Sequence, residues 1–247
     1  MNTKKVVTLL AGILLALTCG ADANLLGTID VTYNGSGAGG YAQLWGGGLE
    51  GVNGLAGVYT LRKSGGTGQG ELWENGLIKT FCIELSETAP YDVKTYDVVL
   101  PEDAQDPTTF LGEKIGFQKA EYLREAWGRF FDESWLGSGP FTEQQNSAAK
   151  AFAVVLWEII YEDLPASPLM WDITTDGTIG PRGFYCTGVD AGLANSVLHT
   201  LNGTGPKADL RAFVRNGSQG YITAVPEPAT ICLLTAGAVM LLRRRSR

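Results

Sequence analysis

An α+β fold is predicted, with a β-rich N-terminal portion packed against a two-helix segment and followed by a loop-rich C-terminal portion. Three features of the sequence point to it. Residues 24–100 hold short runs that alternate apolar and polar side chains, separated by glycine clusters. Residues 112–164 carry apolar side chains at helical spacing. Beyond Pro165 turn-forming residues return between short apolar runs.

Taken in order, Thr28 to Tyr33 alternates as a strand does, and Asn34 to Gly40 reads as a flexible turn. Val58 to Leu61 is a further strand, followed by a second glycine-rich turn from Lys63 to Gly70. Neither cluster ends in Gly-Lys-Ser/Thr or forms a spaced GxGxxG at a strand-to-helix junction, which argues against a phosphate-binding loop. Leu77–Leu85 and Tyr96–Leu100 are predicted strands, with Pro90 marking the turn region between them. Ala120, Leu123, Trp127 and Phe130 predict a helix over 117–132. A second helix starts at Thr142, whose hydroxyl can cap, with Gln145 three residues on completing a capping-box pattern. It runs to just before Pro165. From Ala151 to Tyr161 only Glu158 is charged, so this helix is expected to be packed on most sides. Gly183–Thr187, Leu210–Val214 and Gly220–Ala224 read as late strands, and Ala191–Leu201 as a short helix.

Both ends read as delivery signals. Lys4 and Lys5 precede an uncharged run from Val6 to Thr18, and small residues at Ala21 and Ala23 are placed for cleavage before Asn24. The run is shorter than the roughly 20 residues a permanent span needs, so residues 1–23 are expected to be a signal peptide removed by signal peptidase. An uncleaved anchor, or a lipidated Cys19, are the alternatives. At the other end, Val225, Pro226, Glu227 and Pro228 are followed by 14 uncharged residues, Ala229 to Leu242, and then by Arg243, Arg244, Arg245 and Arg247. The prolines interrupt whatever structure precedes them. A helix over the uncharged run would rise only about 21 Å against roughly 30 Å of hydrocarbon, which suits transient anchoring with the arginines on the cytoplasmic side.

These three parts in order, Pro-Glu-Pro, apolar segment and basic terminus, resemble the PEP-CTERM sorting signal. The resemblance covers about the last 25 residues. It implies export by a Gram-negative, exopolysaccharide-making bacterium, transient holding in the inner membrane, and cutting near residues 225–228 by an exosortase-type membrane protease. The chain then divides into a signal peptide (1–23), an exported domain (24–224) and a sorting tail (225–247).

Once both ends are removed, 13 basic side chains face 24 acidic ones, a net charge of −11. Such a surface argues against nucleic acid as a partner and against an unassisted grip on acidic polysaccharide. His199 is the only histidine, which excludes a multi-histidine metal site and leaves no Ser-His-Asp pattern to pursue. Asp172 to Gly177 lacks the full ligand spacing of a calcium loop and reads as a turn. No cofactor is expected.

The exported part holds two cysteines, Cys82 and Cys186. In an oxidising compartment a disulfide between them is the first expectation. It would close a loop of about 100 residues, for which the chain-entropy model gives an upper guide near 5 kcal/mol. A second resemblance offers an alternative. Phe81-Cys82-Ile83-Glu84, followed by Ala151 to Ile159, is similar to the thioester-domain pattern of bacterial surface adhesins, in which Cys and a helical Gln form an internal thioester. The position four residues before Trp157, where that pattern has Gln, is Ala153 here. Gln144 and Gln145 fall two to three turns earlier, at the cap. The resemblance therefore implies a shared scaffold lacking the covalent chemistry.

Glu158, in its apolar run, is either an acid with a raised pKa or a carboxylate paired with an arginine or a backbone donor. Glu84, Asp132 and Glu133 show no spacing that selects a glycosidase pair. Tyr41 and Trp45 could stack on sugars or fill a small core. The expected function is a non-enzymatic structural or adhesive role at the cell envelope or in the extracellular matrix, with matrix polysaccharide or other surface proteins as partners. A covalent adhesin using Cys82 is the alternative, and a secreted glycan-active enzyme comes after it.

Overall fold

The computed structural model describes residues 24–46, 48–105, 114–177 and 183–226. It is α+β, as the sequence predicts, and its strands are antiparallel throughout. The first two strands, β1 (Gly27–Gly46) and β2 (Leu49–Gly68), form one hairpin of twenty residues a side. They are followed by β3 (Gly76–Cys82), β4 (Lys94–Val99), helix α1 (Phe117–Phe130) and helix α2 (Glu143–Tyr161). The chain continues through β5 (Phe184–Thr187), α3 (Ala191–Thr200), β6 (Leu210–Arg215) and β7 (Ser218–Ala224).

The sheet runs β2-β3-β7-β6-β4-β1-β5, and the added β1–β2 pairing closes its first six strands on themselves. Closure gives each of these six strands a partner on both sides, while the outer part of the hairpin, residues 32–42 and 49–57, pairs only within itself. The last two strands come from the segment that reads as loop-rich, yet they lie within the ring, with β7 between β3 and β6. The C-terminal portion is thus part of the barrel and not an appendage to it.

Both glycine clusters that read as turns belong wholly or largely to the long hairpin. Residues 34–40 lie inside β1, and residues 63–68 lie inside β2. The pairing steps at Asp30/Val31, Tyr33/Gly35, Ser36/Gly39 and Leu44/Trp45, irregularities that bend and twist long strands. Gly39 and Gly57 face each other across the hairpin, each with φ near +145°. A Cβ on Gly39 would lie 2.4 Å from the Ala56 carbonyl oxygen, and one on Gly57 would lie 2.4 Å from that of Ala38. Glycine here permits close approach within a strand and does not end it.

The outer half of the hairpin lies under α2. Gly39 N donates to Asn146 Oδ1 at 3.0 Å, and the Lys150 ammonium donates to the Gly188 carbonyl. The capping box forms as the sequence predicts: Gln145 N donates to Thr142 Oγ1, and Thr142 N donates to Gln145 Oε1. From Ala151 to Tyr161 every residue of α2 is buried, Glu158 included. Phe81 of β3 meets Trp127 of α1 and Phe152 of α2 edge-on, at 5.5 and 5.0 Å between ring centres. This aromatic knot fastens the helices to the barrel wall.

Among the described residues no helix is long and apolar enough to cross a membrane. Ala21, Ala23, Glu227, Pro228, Arg243, Arg244 and Arg245 lie outside the described residues.

Candidate functional site

Phe81 and Cys82 are neighbours on β3. Phe81 joins the aromatic knot, and Cys82, paired with Tyr221 of β7, lies among the tyrosines of the barrel. Tyr59 and Tyr221 pack at 5.8 Å, and Tyr221 and Tyr96 at 5.9 Å. Burial raises the pKa of all three phenols, that of Tyr96 to about 12. The series continues outward, from Tyr59 to Tyr33 at 5.9 Å and from Tyr33 to Tyr91 at 5.7 Å.

At its outer end this series borders a groove of about 580 Å³. Tyr33, Tyr41, Tyr59 and Tyr91 line it together with Trp157 and Gln219. Tyr41 is 72% exposed and Tyr91 86%, whereas Gln219 is only 7% exposed. Gln219 N donates to the Thr88 carbonyl, and its side-chain Nε2 reaches the Glu84 carbonyl at 3.5 Å. Its Oε1 is closed off from solvent and makes no hydrogen bond. Of the residues lining the groove, Glu87 alone is charged.

The two segments behind the thioester-domain resemblance do meet. The Trp157 indole Nε1 donates to the Cys82 carbonyl oxygen at 2.8 Å. The carboxamide beside Cys82 belongs to Gln219 of β7. Cys82 is 1% exposed and its Sγ donates to the Glu84 carbonyl at 3.1 Å. Burial pushes this thiol well above its ordinary range, so it is a poor nucleophile.

Cys82 and Cys186 are both buried free thiols instead of the expected bridge. Their surroundings differ. Cys82 sits with Trp157 and Gln219, whereas Cys186, on β5 opposite Leu44, sits near Glu158 and Lys150. Burial, helped by Glu158, pushes the Cys186 thiol up to about 12.

Glu158 follows the backbone-donor alternative: its Oε1 accepts from Asp172 N at 3.1 Å. Burial first, and Glu162 next, raise its pKa to about 9. One turn on, Glu162 Oε1 accepts from Phe184 N, so both glutamates hold the chain between α2 and β5 onto the helix. Asp172 Oδ1 accepts from Thr174 N, Thr174 Oγ1 and Asn195 Nδ2, which makes 172–174 the expected turn. His199 Nε2 lies 2.9 Å from the Trp171 carbonyl oxygen, a structural contact. Among the described residues no group of three or more His, Cys, Asp or Glu is arranged to hold a metal ion.

Of the two aromatics singled out in the sequence, Tyr41 lines the groove. Trp45 instead stacks on Tyr185 at 4.8 Å and fastens β5 to β1. Tyr33, Tyr59, Tyr91 and Gln219 carried no local signal, because the groove draws them from four separate stretches of chain. At the C-terminus β7 ends at Ala224. Val225 N then donates to the Asp209 carbonyl at 2.8 Å, and Pro226 is exposed.

No family model, curated protein or solved structure matches this chain.

Proposed function

We propose that the chain is an exported protein of the cell envelope or extracellular matrix, with a structural or adhesive role and no catalytic one. In this reading a PEP-CTERM tail holds it transiently in the inner membrane until an exosortase-type protease acts. The observation that carries the reading is the placement of the Pro-Glu-Pro motif. It begins two residues after Ala224, the end of the last strand, so a cut there would leave every strand of the barrel whole. The same economy holds at the other end, where β1 begins at Gly27, four residues beyond Ala23.

A second reading, a covalent adhesin using Cys82, draws support from the Trp157–Cys82 contact and from the Gln219 carboxamide next to the thiol. The buried thiol and Ala153 weigh against it.

The intact mass of the mature protein from its host, taken before and after reduction, tests both. The expected result is an N-terminus at Asn24, a C-terminus near Pro226 to Pro228, and no change on reduction. A full-length tail with its arginines overturns the sorting reading. A mass short by one ammonia establishes the thioester instead.

A further inference from the structure

We propose that the tyrosine groove binds a segment of uncharged polysaccharide; the proposal deepens the adhesive reading above and rests on it. Volume comes first. At about 580 Å³ the groove falls within the roughly 300–1,000 Å³ of ordinary ligand sites, with room for a short run of sugar rings.

The lining is the second argument. Tyr41 and Tyr91 are large aromatic side chains left 72% and 86% exposed at the groove, with Tyr33 behind Tyr91 at 5.7 Å and edge-on to it. An aromatic ring offers an electron-rich face, and the C–H face of a pyranose ring is the complementary surface. Phenol hydroxyls at the ring edges, with Asn53 and Thr88 beside them, can exchange hydrogen bonds with sugar hydroxyls.

Charge selects the class of polymer. The lining contains one carboxylate, Glu87, and no cation, on a domain whose net charge is −11. A uronic-acid or sulfated chain would be repelled and would find no counter-charge in the groove, whereas a neutral one meets neither obstacle.

The test is affinity electrophoresis of the mature protein, purified from its host, in native gels containing hydroxyethyl cellulose, mannan, dextran or alginate. The expected result is retardation by at least one neutral polymer and none by alginate. In a Tyr41→Ala/Tyr91→Ala variant the dissociation constant from retardation should rise at least about tenfold, the factor expected for loss of an aromatic stacking partner. Both side chains are exposed, so the variant should keep the far-UV circular dichroism of the parent, and Leu169→Ala, at another exposed apolar residue outside the groove, should bind like the parent.

Failure of all three neutral polymers to retard the protein overturns the proposal. So does retardation by alginate alone, or retardation that the tyrosine variant leaves unchanged. Self-association abolished by the tyrosine substitutions, without glycan binding, assigns the groove to a second copy of the chain and also overturns it. Purified protein is blind to sorting, so failure here leaves the mass result intact, and an unprocessed tail leaves the binding result standing.

Discussion

Helices α1 and α2 each bury one glutamate almost completely, yet the two side chains are treated in opposite ways. Glu125 of α1 is 0% exposed and accepts from Asn202 N, Gly203 N and the Arg129 guanidinium. It is the anchor that ties the turn after α3 to α1. Glu158 of α2 is 1% exposed, with one backbone donor on Oε1 and none on Oε2. Around it stand Glu162, Asp172 and Asp176, with Cys186 from β5. Depth is the same in both places; what differs is the supply of donors and the sign of the neighbouring charge. Glu158, with a pKa of about 9, is a neutral carboxylic acid at pH 7.

The largest loss of stability that should sharpen this contrast is at Glu125. Glu125→Ala takes the shared acceptor from the Asn202 and Gly203 backbone N–H groups and leaves the Arg129 guanidinium with only the Thr200 carbonyl. Loss of about 3 kcal/mol in urea unfolding is expected. A loss below 1 kcal/mol would mean that water replaces the carboxylate and that the two sites differ less than their geometry says.

Next comes the pH dependence set by Glu158. Its folded pKa, about 9, lies above the ordinary 4.5. Between those values the folded protein keeps a proton that the unfolded chain has released. This contribution to stability is therefore fully present below pH 4.5 and declines as pH rises towards 9, by at most about 1.4 kcal/mol per unit. Glu158→Gln keeps an acceptor for Asp172 N, so it should flatten the midpoint of urea unfolding between pH 5 and 9 and raise it at pH 8. If parent and variant trace parallel curves, Glu158 is ionised in the folded protein and the contrast with Glu125 collapses.

The smallest effect lies at the start of α2. Thr142→Ala removes the cap on Gln145 N, and a loss of about 1 kcal/mol is expected, equal at pH 5 and pH 8. A pH-dependent loss would show that the cap is coupled to the carboxylates at the other end of the helix.

Much of the helical part was legible because its signals are local. Thr142 and Gln145 sit three residues apart and announce their own hydrogen bonds, and the apolar run from Ala151 announces burial. The hairpin was not legible, because Gly39 makes sense only opposite Gly57, a partner 18 residues away that no local window joins to it. Read alone, each glycine cluster is a turn. Barrel closure was hidden for the same reason: β7 takes its place through pairings with β3 and β6, and nothing in Ser218 to Ala224 names β3. Glu125 looks like any charged residue of an amphipathic helix until the 202–203 turn folds over it. At the groove, Tyr41 carried a signal by being an aromatic among glycines, whereas Gln219 carried none.

Strand β7 has Gln219 near its first residue and Val225 just past its last, six residues apart, or about 20 Å along an extended chain. Its rungs to β6 and to β3 run across that line. Before the tail is cut, a polymer gripped at the groove while the tail holds the chain beyond Val225 would pull along the strand, loading those rungs in shear and all at once, whereas a perpendicular pull would unzip them singly. Placed this way, the barrel is a coupling stiff to tension, and the lifetime of the joint under load would follow the rate at which β7 slides from between its neighbours.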